Sequence, residues 1–575
     1  MDYREKYEYW ITADCFDENT KNELKAITDD KEIQERFYKD LEFGTGGLRG
    51  VIGAGSNRMN IYTVRKATQG LANYIIKNNG QDRGVAIAFD SRIMSPEFSL
   101  EAALCLNANG IKTYRYDTLH PTPMLSFAVR QLKCIAGIVV TASHNPREYN
   151  GYKVYWEDGA QVTPPHDIGI IDEVNAITDY AEPKTMSLED AKAAGLFNVL
   201  GKEMDDEYIS TIKTYIIHPE IIEKESKDIK IVYTPLHGTG NLFVRRVLKE
   251  LGFENVYVVK EQELPDGNFP TVPYPNPEDP KAFKLALELA EKVDADIVMA
   301  TDPDADRLGI FVKDAADGEY KIFNGNMLGT LIGEYILRER ELNGTLPENA
   351  AYVTTIVSTN LSQAIAKAHN TKCFETLTGF KWICGQVKQF EDAGNSYKYV
   401  FGFEESYGCL IGDYVRDKDA VSAVMMLAEI ASYCKANGET LLDELEKMYK
   451  KYGYYAERLR AVVMPGMDGA EKIKALMEKL RSDPPTVIGG YKVKEFRDYR
   501  SQICIDPETK EEHPTGIPSS NVLYFDLEGD CWCCMRPSGT EPKIKFYMGA
   551  KDETMDAAKK RTEDIETALT EIVEG

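Results

Sequence analysis

The chain has 575 residues, of which 43% are hydrophobic, and a formal net charge of −25. One core rarely supports such a length, so about three to five globular domains are expected. The acidic charge disfavours nucleic acid and anionic membranes as partners. The sequence has no uninterrupted apolar stretch of about 18 residues, so we expect no membrane span. The eleven cysteines follow no disulfide or zinc spacing, which indicates a reduced, cytoplasmic protein.

A charged helical segment of about 40 residues is followed by three similar blocks in which strands alternate with helices. Each block contains two short apolar strands that end in polar loops: "GVAIAF" and "GIVV", "IKIVY" and "ADIVMA", "AAYVTTIV" and "YKYVFGF". This alternation predicts three similar α/β domains with mixed, largely parallel sheets. From about residue 455 the pattern changes, and it predicts a smaller C-terminal α+β domain.

The predicted segments are an N-terminal helical extension (1–40), domain I (41–208), domain II (209–325), domain III (326–450) and domain IV (451–575). A proline-rich run, "LPDGNFPTVPYPNPEDP", lies between apolar patterns of domain II. We predict that it is a long surface loop inside that domain rather than a linker.

The segment "TASHNP" directly follows the predicted strand "GIVV". In sheets of this class, ligands bind at the carboxyl ends of the strands. Ser143 is therefore a candidate reactive hydroxyl, although Asn145 and Pro146 also suit an ordinary turn. His144 is a candidate general acid or base, or a neutral hydrogen-bonding residue of the loop.

The segment "TDPDADR" carries Asp302, Asp304 and Asp306 after another predicted strand. Carboxylates this close repel one another unless a cation neutralises them, and oxygen ligands favour Mg²⁺ or Ca²⁺ over zinc. The glycine and the later glutamate of a calcium-binding EF-hand loop are absent. A phosphatase with an aspartyl nucleophile and a solvated acidic turn remain the alternatives.

The segment "RPSGTEPKIK" brings Arg536, Ser538, Gly539 and Thr540 together, with Lys545 close behind. Arginine, hydroxyl groups and a flexible backbone can together surround a phosphate group. An ordinary hairpin turn is the alternative interpretation.

Four further segments carry weaker signals. "GFEESYG" places Glu404 and Ser406 after a strand, where they could bind sugar hydroxyls or belong to a solvated loop. "FGTGGLRG" presents Arg49, a candidate ligand of phosphate, but it is not a nucleotide-binding fingerprint. "NGYKVYW" and "TGFKW" contain Lys153 and Lys381, which are either site cations or solvated lysines.

Taken together, these segments resemble the α-D-phosphohexomutase superfamily, the phosphoglucomutase and phosphomannomutase enzymes. The resemblance covers roughly residues 40–555, and "TASHNP", "DPDADR", "GFEES" and "RPSGTEP" occur in the order typical of that family. "FGTGGLRG", "TPLHGTG" and "TGFKW" are similar to its longer phosphoglucomutase and phosphopentomutase branch. The resemblance implies four domains around a central cleft.

The resemblance also implies residue roles. Ser143 becomes the phosphorylated nucleophile, and the catalytic group is Ser143, His144, Lys153, Arg49 and Lys381. One Mg²⁺ per chain is held by Ser143, Asp302, Asp304 and Asp306. The substrate-binding group is Arg307, Thr378, Gly379, Glu404, Ser406, Arg536, Ser538, Gly539, Thr540 and Lys545. Lys545 stands where the family often has arginine.

The reaction implied is the exchange of glucose 1-phosphate and glucose 6-phosphate through a glucose 1,6-bisphosphate intermediate, which also serves as activator. Phosphomannomutase, phosphopentomutase and glucose 1,6-bisphosphate synthase are alternatives. A monoester hydrolase and a non-catalytic sugar-phosphate sensor are further ones. The expected partners are small sugar phosphates, without nucleic acid or membrane, and the expected state is a monomer or weak homodimer.

Overall fold

A computed structural model describes residues 2–44, 46–464, 467–538 and 543–574. The chain divides into two compact units. The first consists of Met1–Gly325, Cys384–Phe401 and Ser406–Thr440, and the second of Asn326–Ile383, Gly402–Glu405 and Leu441–Gly575.

The N-terminal extension is helical, as the sequence predicts. Each of its helices begins after an aspartate whose side chain accepts backbone N–H groups of the first turn: Asp2, Asp17 and Asp29. Trp10 is buried and packs edge-on against Tyr62 of domain I, so the extension shares an aromatic core with that domain. The helices are α1 (Tyr3–Thr12), α2 (Glu18–Lys25) and α3 (Asp30–Phe37).

Domain I is built on a mixed sheet. Its strands are β1 (Gly47–Val51), β2 (Val85–Phe89), β3 (Thr113–Tyr116), β4 (Ala136–Val140), β5 (Tyr149–Trp156) and β6 (Phe197–Leu200). The strand order is β1-β5-β4-β2-β3-β6. The run from β4 to β6 is parallel, and β5 and β1 add antiparallel pairs at one edge. Both faces of β2 and β4 are buried, which explains their continuous apolar sequences.

The helices of domain I cover this sheet and continue toward domain II. They are α4 (Ile61–Lys77), α5 (Ser95–Ala108), α6 (Thr122–Gln131), α7 (His166–Ala176), α8 (Leu188–Ala193) and α9 (Lys202–Lys213). Asn60 caps α4 through its side chain.

Domain II repeats the same plan. Its strands are β7 (Lys230–Thr234), β8 (Asn255–Val258), β9 (Ile297–Thr301), β10 (Leu308–Lys313) and β11 (Tyr320–Phe323), in the order β11-β10-β9-β7-β8. The pairs among β9, β7 and β8 are parallel, whereas β10 and β11 are antiparallel. Both sheets are therefore mixed, with antiparallel strands at one edge and parallel strands in the rest. Its helices are α10 (Pro219–Glu225), α11 (Gly240–Glu250), α12 (Lys260–Glu263) and α13 (Lys284–Val293).

The proline-rich segment of domain II is a long loop, as predicted, but it is not only a surface loop. Phe269 and Val272 are buried in the core of domain II. The Phe269 ring also packs under the guanidinium of Arg92 in domain I, at 5.1 Å. The prediction missed this because prolines and polar residues mask two apolar anchors.

Domain III contains the third α/β pattern. Its helices are α14 (Gly325–Leu342), α15 (Leu361–Ala368), α16 (Phe380–Asp392), α17 (Ala420–Ala436) and α18 (Leu441–Tyr452). Its strands are β12 (Ala350–Thr355), β13 (Lys372–Thr376), β14 (Lys398–Glu404) and β15 (Gly408–Ile411). β12 and β13 pair in parallel.

Domain IV is a sheet with helices α19 (Met467–Ser482) and α20 (Met555–Glu574). Its strands are β16 (Tyr454–Val463), β17 (Val487–Ile488), β18 (Tyr491–Asp498), β19 (Ile503–Ile505), β20 (Glu512–Pro514), β21 (Leu523–Leu527), β22 (Cys531–Pro537) and β23 (Lys543–Asp552). The order is β16-β23-β22-β21-β18-β19-β20, and β17 pairs with β18. Cys531, Cys533 and Cys534 are buried residues of β22. Three α/β domains and a sheet-rich C-terminal domain confirm the predicted fold class.

Among the described residues, no helix has the length and apolar character needed to cross a membrane.

Candidate active site

The loop after β4 holds Ser143 in a fixed and unusual conformation. Ser143 has a φ of 51°, a backbone region that residues other than glycine rarely adopt. Its N–H donates to Thr141 Oγ1 over 2.8 Å, and the Thr141 hydroxyl donates to Asp90 Oδ2 over 2.6 Å. Ser143 is 4% exposed. Strain that is held in place by such contacts is typical of functional sites.

The guanidinium of Arg92 fastens the same loop. It donates to the carbonyl oxygens of Ser143 at 2.5 Å, Pro146 at 2.9 Å, Tyr149 at 3.0 Å, and also Asn145. The side chain of Arg92 is completely buried. A role for Arg92 was not predicted from the sequence. The available signal was its position in "DSR", directly after the predicted strand "GVAIAF".

The loop between β9 and β10 brings the aspartate carboxylates together. Asp302, Asp304 and Asp306 are buried, and one ligand oxygen from each lies within 4.8 Å of the others. The Ser143 hydroxyl donates to Asp302 Oδ2 over 2.9 Å. Two segments far apart in the sequence, both in the first compact unit, therefore meet at this point.

Three ionised carboxylates without a bound cation are electrostatically unfavourable in this buried cluster. Burial, and then the neighbouring carboxylates, raise the pKa of Asp302 well above its usual value. Burial and Asp304 likewise raise the pKa of Asp306. Burial opposes ionisation of Asp304 too, but Lys153 and hydrogen bonds lower its pKa on balance. In the described part of the chain, Asp304 Oδ1 and Asp306 Oδ1 are buried without a hydrogen-bond partner. Such oxygens fit a bound cation that takes oxygen ligands.

Two lysines approach the carboxylates. Lys153 Nζ, on β5, lies 3.3 Å from Asp304 Oδ2. Lys418 Nζ lies 3.1 Å from Asp306 Oδ2. A Cβ atom on Gly408 would stand 2.0 Å from the Lys418 side chain, so glycine there gives this lysine its space. The sequence analysis missed Lys418, because "RDKD" is typical of a solvated charged turn.

Two arginines add positive charge. Arg307 pairs with Glu278, and its Nε lies 3.8 Å from Asp306 Oδ1. Arg49, on the edge strand β1, donates from Nη1 to Asn145 Oδ1 over 3.4 Å. Both arginines therefore belong to the surroundings of the Ser143 loop and the aspartate loop.

His144 lies beside the serine. Its Nδ1 is 3.1 Å from Ser143 Oγ. Burial, followed by repulsion from Arg307 and Arg49, lowers the pKa of His144 well below its usual value. The imidazole is thus held neutral at neutral pH.

The predicted phosphate-binding residues belong to the second compact unit. Arg536 and Lys545 face each other as register partners on β22 and β23. Ser538 follows the end of β22. Gly539 and Thr540 lie outside the described residues.

Glu404 and Glu405, at the end of β14, have different surroundings. Glu404, the last residue of the strand, is buried at 5% exposure. Glu405 accepts hydrogen bonds from the hydroxyls of Thr355 at 3.0 Å and Ser358 at 3.4 Å. Ser406, the next residue, belongs to the first unit.

The "TGFKW" segment opens helix α16. Gly379 has a φ of 109°, which favours glycine, and Thr378 precedes it. The Lys381 ammonium lies 5.2 Å from the centre of the Trp382 ring. The Lys381 side chain is half-buried.

Comparison with known proteins identifies the family. Models of the phosphoglucomutase/phosphomannomutase α/β/α domains I, II and III match residues 40–181, 206–318 and 324–452. The chain belongs to the phosphoglucomutase/phosphomannomutase family. A family member from Staphylococcus aureus (strain USA300), named phosphoglucomutase, is 39% identical over 531 residues, 92% of each chain. A phosphoglucomutase from Staphylococcus epidermidis (strain RP62A) is 36% identical over 558 residues, 96% of this chain and 98% of the relative.

Solved phosphoglucomutase/phosphomannomutase structures share the fold. Parafusin from Paramecium, in its open form, gives a TM-score of 0.68 at 18% identity and covers 93% of this chain and 95% of its own. A family protein from Burkholderia thailandensis gives a TM-score of 0.64 at 19% identity, with coverage of 92% and 97%.

Proposed function

We propose that this protein is a phosphoglucomutase that interconverts glucose 1-phosphate and glucose 6-phosphate through a phosphorylated Ser143. The observation that carries the proposal is the 2.9 Å contact between Ser143 Oγ and Asp302, inside a buried carboxylate cluster. Relatives named phosphoglucomutase, at 36–39% identity, support the choice of substrate. In class terms the enzyme is an intramolecular phosphotransferase.

The reaction proceeds by two transfers. Phosphoserine 143 gives its phosphoryl group to the free hydroxyl of the sugar monophosphate. The bond from phosphorus to Ser143 Oγ breaks, a bond to the sugar oxygen forms, and the hydroxyl proton passes to a base. The resulting glucose 1,6-bisphosphate returns its other phosphoryl group to Ser143, so phosphate is conserved. Added bisphosphate activates the enzyme by phosphorylating any free Ser143.

The aspartate trio and the Ser143 oxygen form the site proposed for one Mg²⁺. Oxygen-only ligands and the two unpartnered carboxylate oxygens fit that ion. When bound, Mg²⁺ supplies charge neutralisation next to the phosphoserine.

The surrounding cations compensate the remaining charge. Phosphoserine carries about −2 at neutral pH, and a second phosphate arrives with the substrate. Arg49, Arg307, Lys153 and Lys418 stabilise that charge as it spreads in the transition state. Lys153, Lys381 and His144 are the proposed candidates for the general base, and Lys153 takes that role only as the neutral amine, in which case it is not one of the stabilising cations. The neutral imidazole of His144 suits a hydrogen bond to the serine oxygen.

Further residues are proposed to bind the part of the substrate that does not react. Arg536, Ser538, Gly539, Thr540 and Lys545 bind the non-transferring phosphate. Glu404 and Ser406 accept hydrogen bonds from sugar hydroxyl groups. Thr378 and Gly379 line the proposed substrate-binding site. None of the eleven cysteines, all of which the structure describes, forms a disulfide, which supports a reducing, cytoplasmic setting. A monomer or weak homodimer acting on small sugar phosphates completes the proposal.

The deciding experiment is a coupled mutase assay on glucose, mannose and pentose 1-phosphates with catalytic bisphosphate activator. The highest kcat/KM is expected for glucose 1-phosphate. A higher value for mannose or pentose would assign the enzyme to phosphomannomutase or phosphopentomutase. Accumulating bisphosphate without isomerised monophosphate would instead select the synthase.

A further inference from the structure

Three metal-ligating side chains meet on the sheet of domain IV. Glu495 lies on β18, Cys504 on β19 and His513 on β20. Their ligand atoms all lie within 4.8 Å of one another. None of these residues belongs to the proposed mutase machinery.

The strand register explains why they converge. Cys504 and His513 are direct partners across β19 and β20. Arg497 is the partner of Cys504 on β18, so Glu495, two residues earlier, is its diagonal neighbour on the same face. Three adjacent strands thus each contribute one ligand atom to one face of the sheet.

A small movement of the His513 side chain would give the ligand atoms the spacing found around a bound zinc ion. His513 Nε2 lies 2.9 Å from Glu495 Oε2. Tetrahedral zinc bonds of about 2.0–2.3 Å separate neighbouring ligand atoms by roughly 3.3–3.8 Å. The His513 side chain is 58% exposed, so it is free to open the gap by that amount.

The ligand types select the metal. A thiolate, an imidazole and a carboxylate are the ligands that zinc takes in proteins, whereas Mg²⁺ prefers oxygen alone. Arg497 Nε donates to the other carboxylate oxygen, Glu495 Oε1, over 2.6 Å, and leaves Oε2 to face the site. Such outer partners orient ligands in metal sites.

We propose that Glu495, Cys504 and His513 bind one zinc-type divalent cation, with the fourth position open to water. The ion would link the hairpin of β19 and β20 to β18. The site lies in domain IV, whereas the aspartate cluster lies in domain II, and it contains sulfur and nitrogen ligands as well as oxygen. Burial and the nearby Glu495 raise the pKa of the Cys504 thiol. Because the bound form is a thiolate, binding releases a proton and weakens as pH falls.

The test uses the full-length protein, stripped of metal and kept in excess Mg²⁺ so that the aspartate cluster is saturated. Co²⁺ is titrated in as a spectroscopic substitute for zinc. One equivalent is expected to give a thiolate-to-cobalt charge-transfer band that added Zn²⁺ abolishes. The C504S variant is expected to lose the band, and H513Q to weaken binding by roughly 100-fold or more, since outer partners alone are worth about 10–100-fold.

A cysteine and a histidine outside the proposed site provide matched control variants for C504S and H513Q. Cys15 is a partly buried thiol, and His218 pairs with Glu220 at 3.0 Å. Neither residue is part of a group of three possible metal ligands among the described residues. C15S and H218Q are expected to keep the band and its affinity. Circular dichroism of metal-free C504S and H513Q checks that both fold, and E495Q supplies a third ligand variant.

The wild-type protein is also expected to melt at a higher temperature with equimolar Zn²⁺, an effect absent in C504S. No thiolate band in the wild type, or a band that persists in C504S, would overturn the proposal. Neither result bears on the mutase reaction, which the coupled assay measures separately.

Discussion

The Ser143 hydroxyl donates a hydrogen bond to Asp302 over 2.9 Å, although the two residues are 159 positions apart in the sequence. The contact joins the end of β4 in domain I to the end of β9 in domain II. Ser143, which has a φ of 51°, therefore contacts the buried group of three carboxylates within the first unit. The proposed chemistry depends on this meeting, and the following predictions test its parts.

Removing one carboxylate of the trio is expected to weaken Mg²⁺ activation. The D306N change keeps the size of the side chain but removes a buried charge and a cation ligand. We predict that the Mg²⁺ concentration for half-maximal activity rises by about tenfold or more, and that isothermal titration gives the same change in Mg²⁺ affinity. D314N, in an exposed turn of the same domain, is the control and leaves both values unchanged. Equal Mg²⁺ affinity in D306N and wild type would remove Asp306 from the site.

Lys418 is expected to stabilise the transferring phosphoryl group. Loss of one such preorganised donor typically costs about 10²–10³ in kcat. We predict a loss of that order in K418M, a smaller one in K418R, and little change in KM. K435M is the control, because Lys435 lies near the end of α17 and bonds only the Asp228 carbonyl among the contacts described. A K418M enzyme with normal kcat would assign Lys418 a purely structural role.

Arg92 is expected to act as a positioning residue for the Ser143 loop. R92K keeps the charge but cannot reach four carbonyls at once, and an unpaired buried group costs about 1–3 kcal/mol. We predict lower thermal stability and a fall in kcat that exceeds any change in KM. R115K is the control for kcat, because Arg115 of the same domain also bonds carbonyl oxygens, those of Pro96 and Tyr116, as well as the Ser99 hydroxyl. If R92K lost stability but kept kcat, the loop would not depend on this arginine for its active shape.

Whether a site residue could be predicted from the sequence depends on whether its role follows from its local position or from contacts with distant segments. Ser143 and the aspartates could be found because they directly follow apolar strands, whose carboxyl ends gather ligands in α/β sheets. Arg92 and Lys418 were missed because their roles depend on contacts with distant segments. Ser143 is 51 positions from Arg92, and Asp306 lies in another domain from Lys418.

The fold shows the same division. Buried parallel strands such as β2 and β4 were predicted from their continuous apolar runs. Mixed sheets were predicted, but which strands pair antiparallel was not, because pairing direction depends on where the chain returns rather than on local sequence. The burial of Phe269 was likewise hidden, since its core contacts come from other elements.

Glu457 is expected to make the stability of the second unit depend on pH. Burial raises its pKa to about 7, partly offset by hydrogen bonds from Thr359 and Asn326. A carboxyl group with a raised folded pKa binds more protons in the folded state, so stability falls as pH rises from about 5 to 8. We predict a loss of about 1–3 kcal/mol in the wild type relative to E457Q over that range.

Urea midpoints of both proteins at pH 5 and pH 8 give this difference, and the change at other carboxyl groups cancels in the comparison. Parallel pH profiles for wild type and E457Q would show that Glu457 ionises normally in the folded protein.

The central claim is that Ser143 carries the phosphoryl group during turnover, and peptide mass spectrometry tests it most directly. The protein is incubated with glucose 1,6-bisphosphate, digested and analysed before and after a chase with excess glucose 6-phosphate, with S143A alongside. We predict one phosphate on the Ser143 peptide that the chase removes, and an S143A protein that folds but does not turn over. Full turnover with no phosphate on Ser143 at any time, or an active S143A enzyme, would contradict the account.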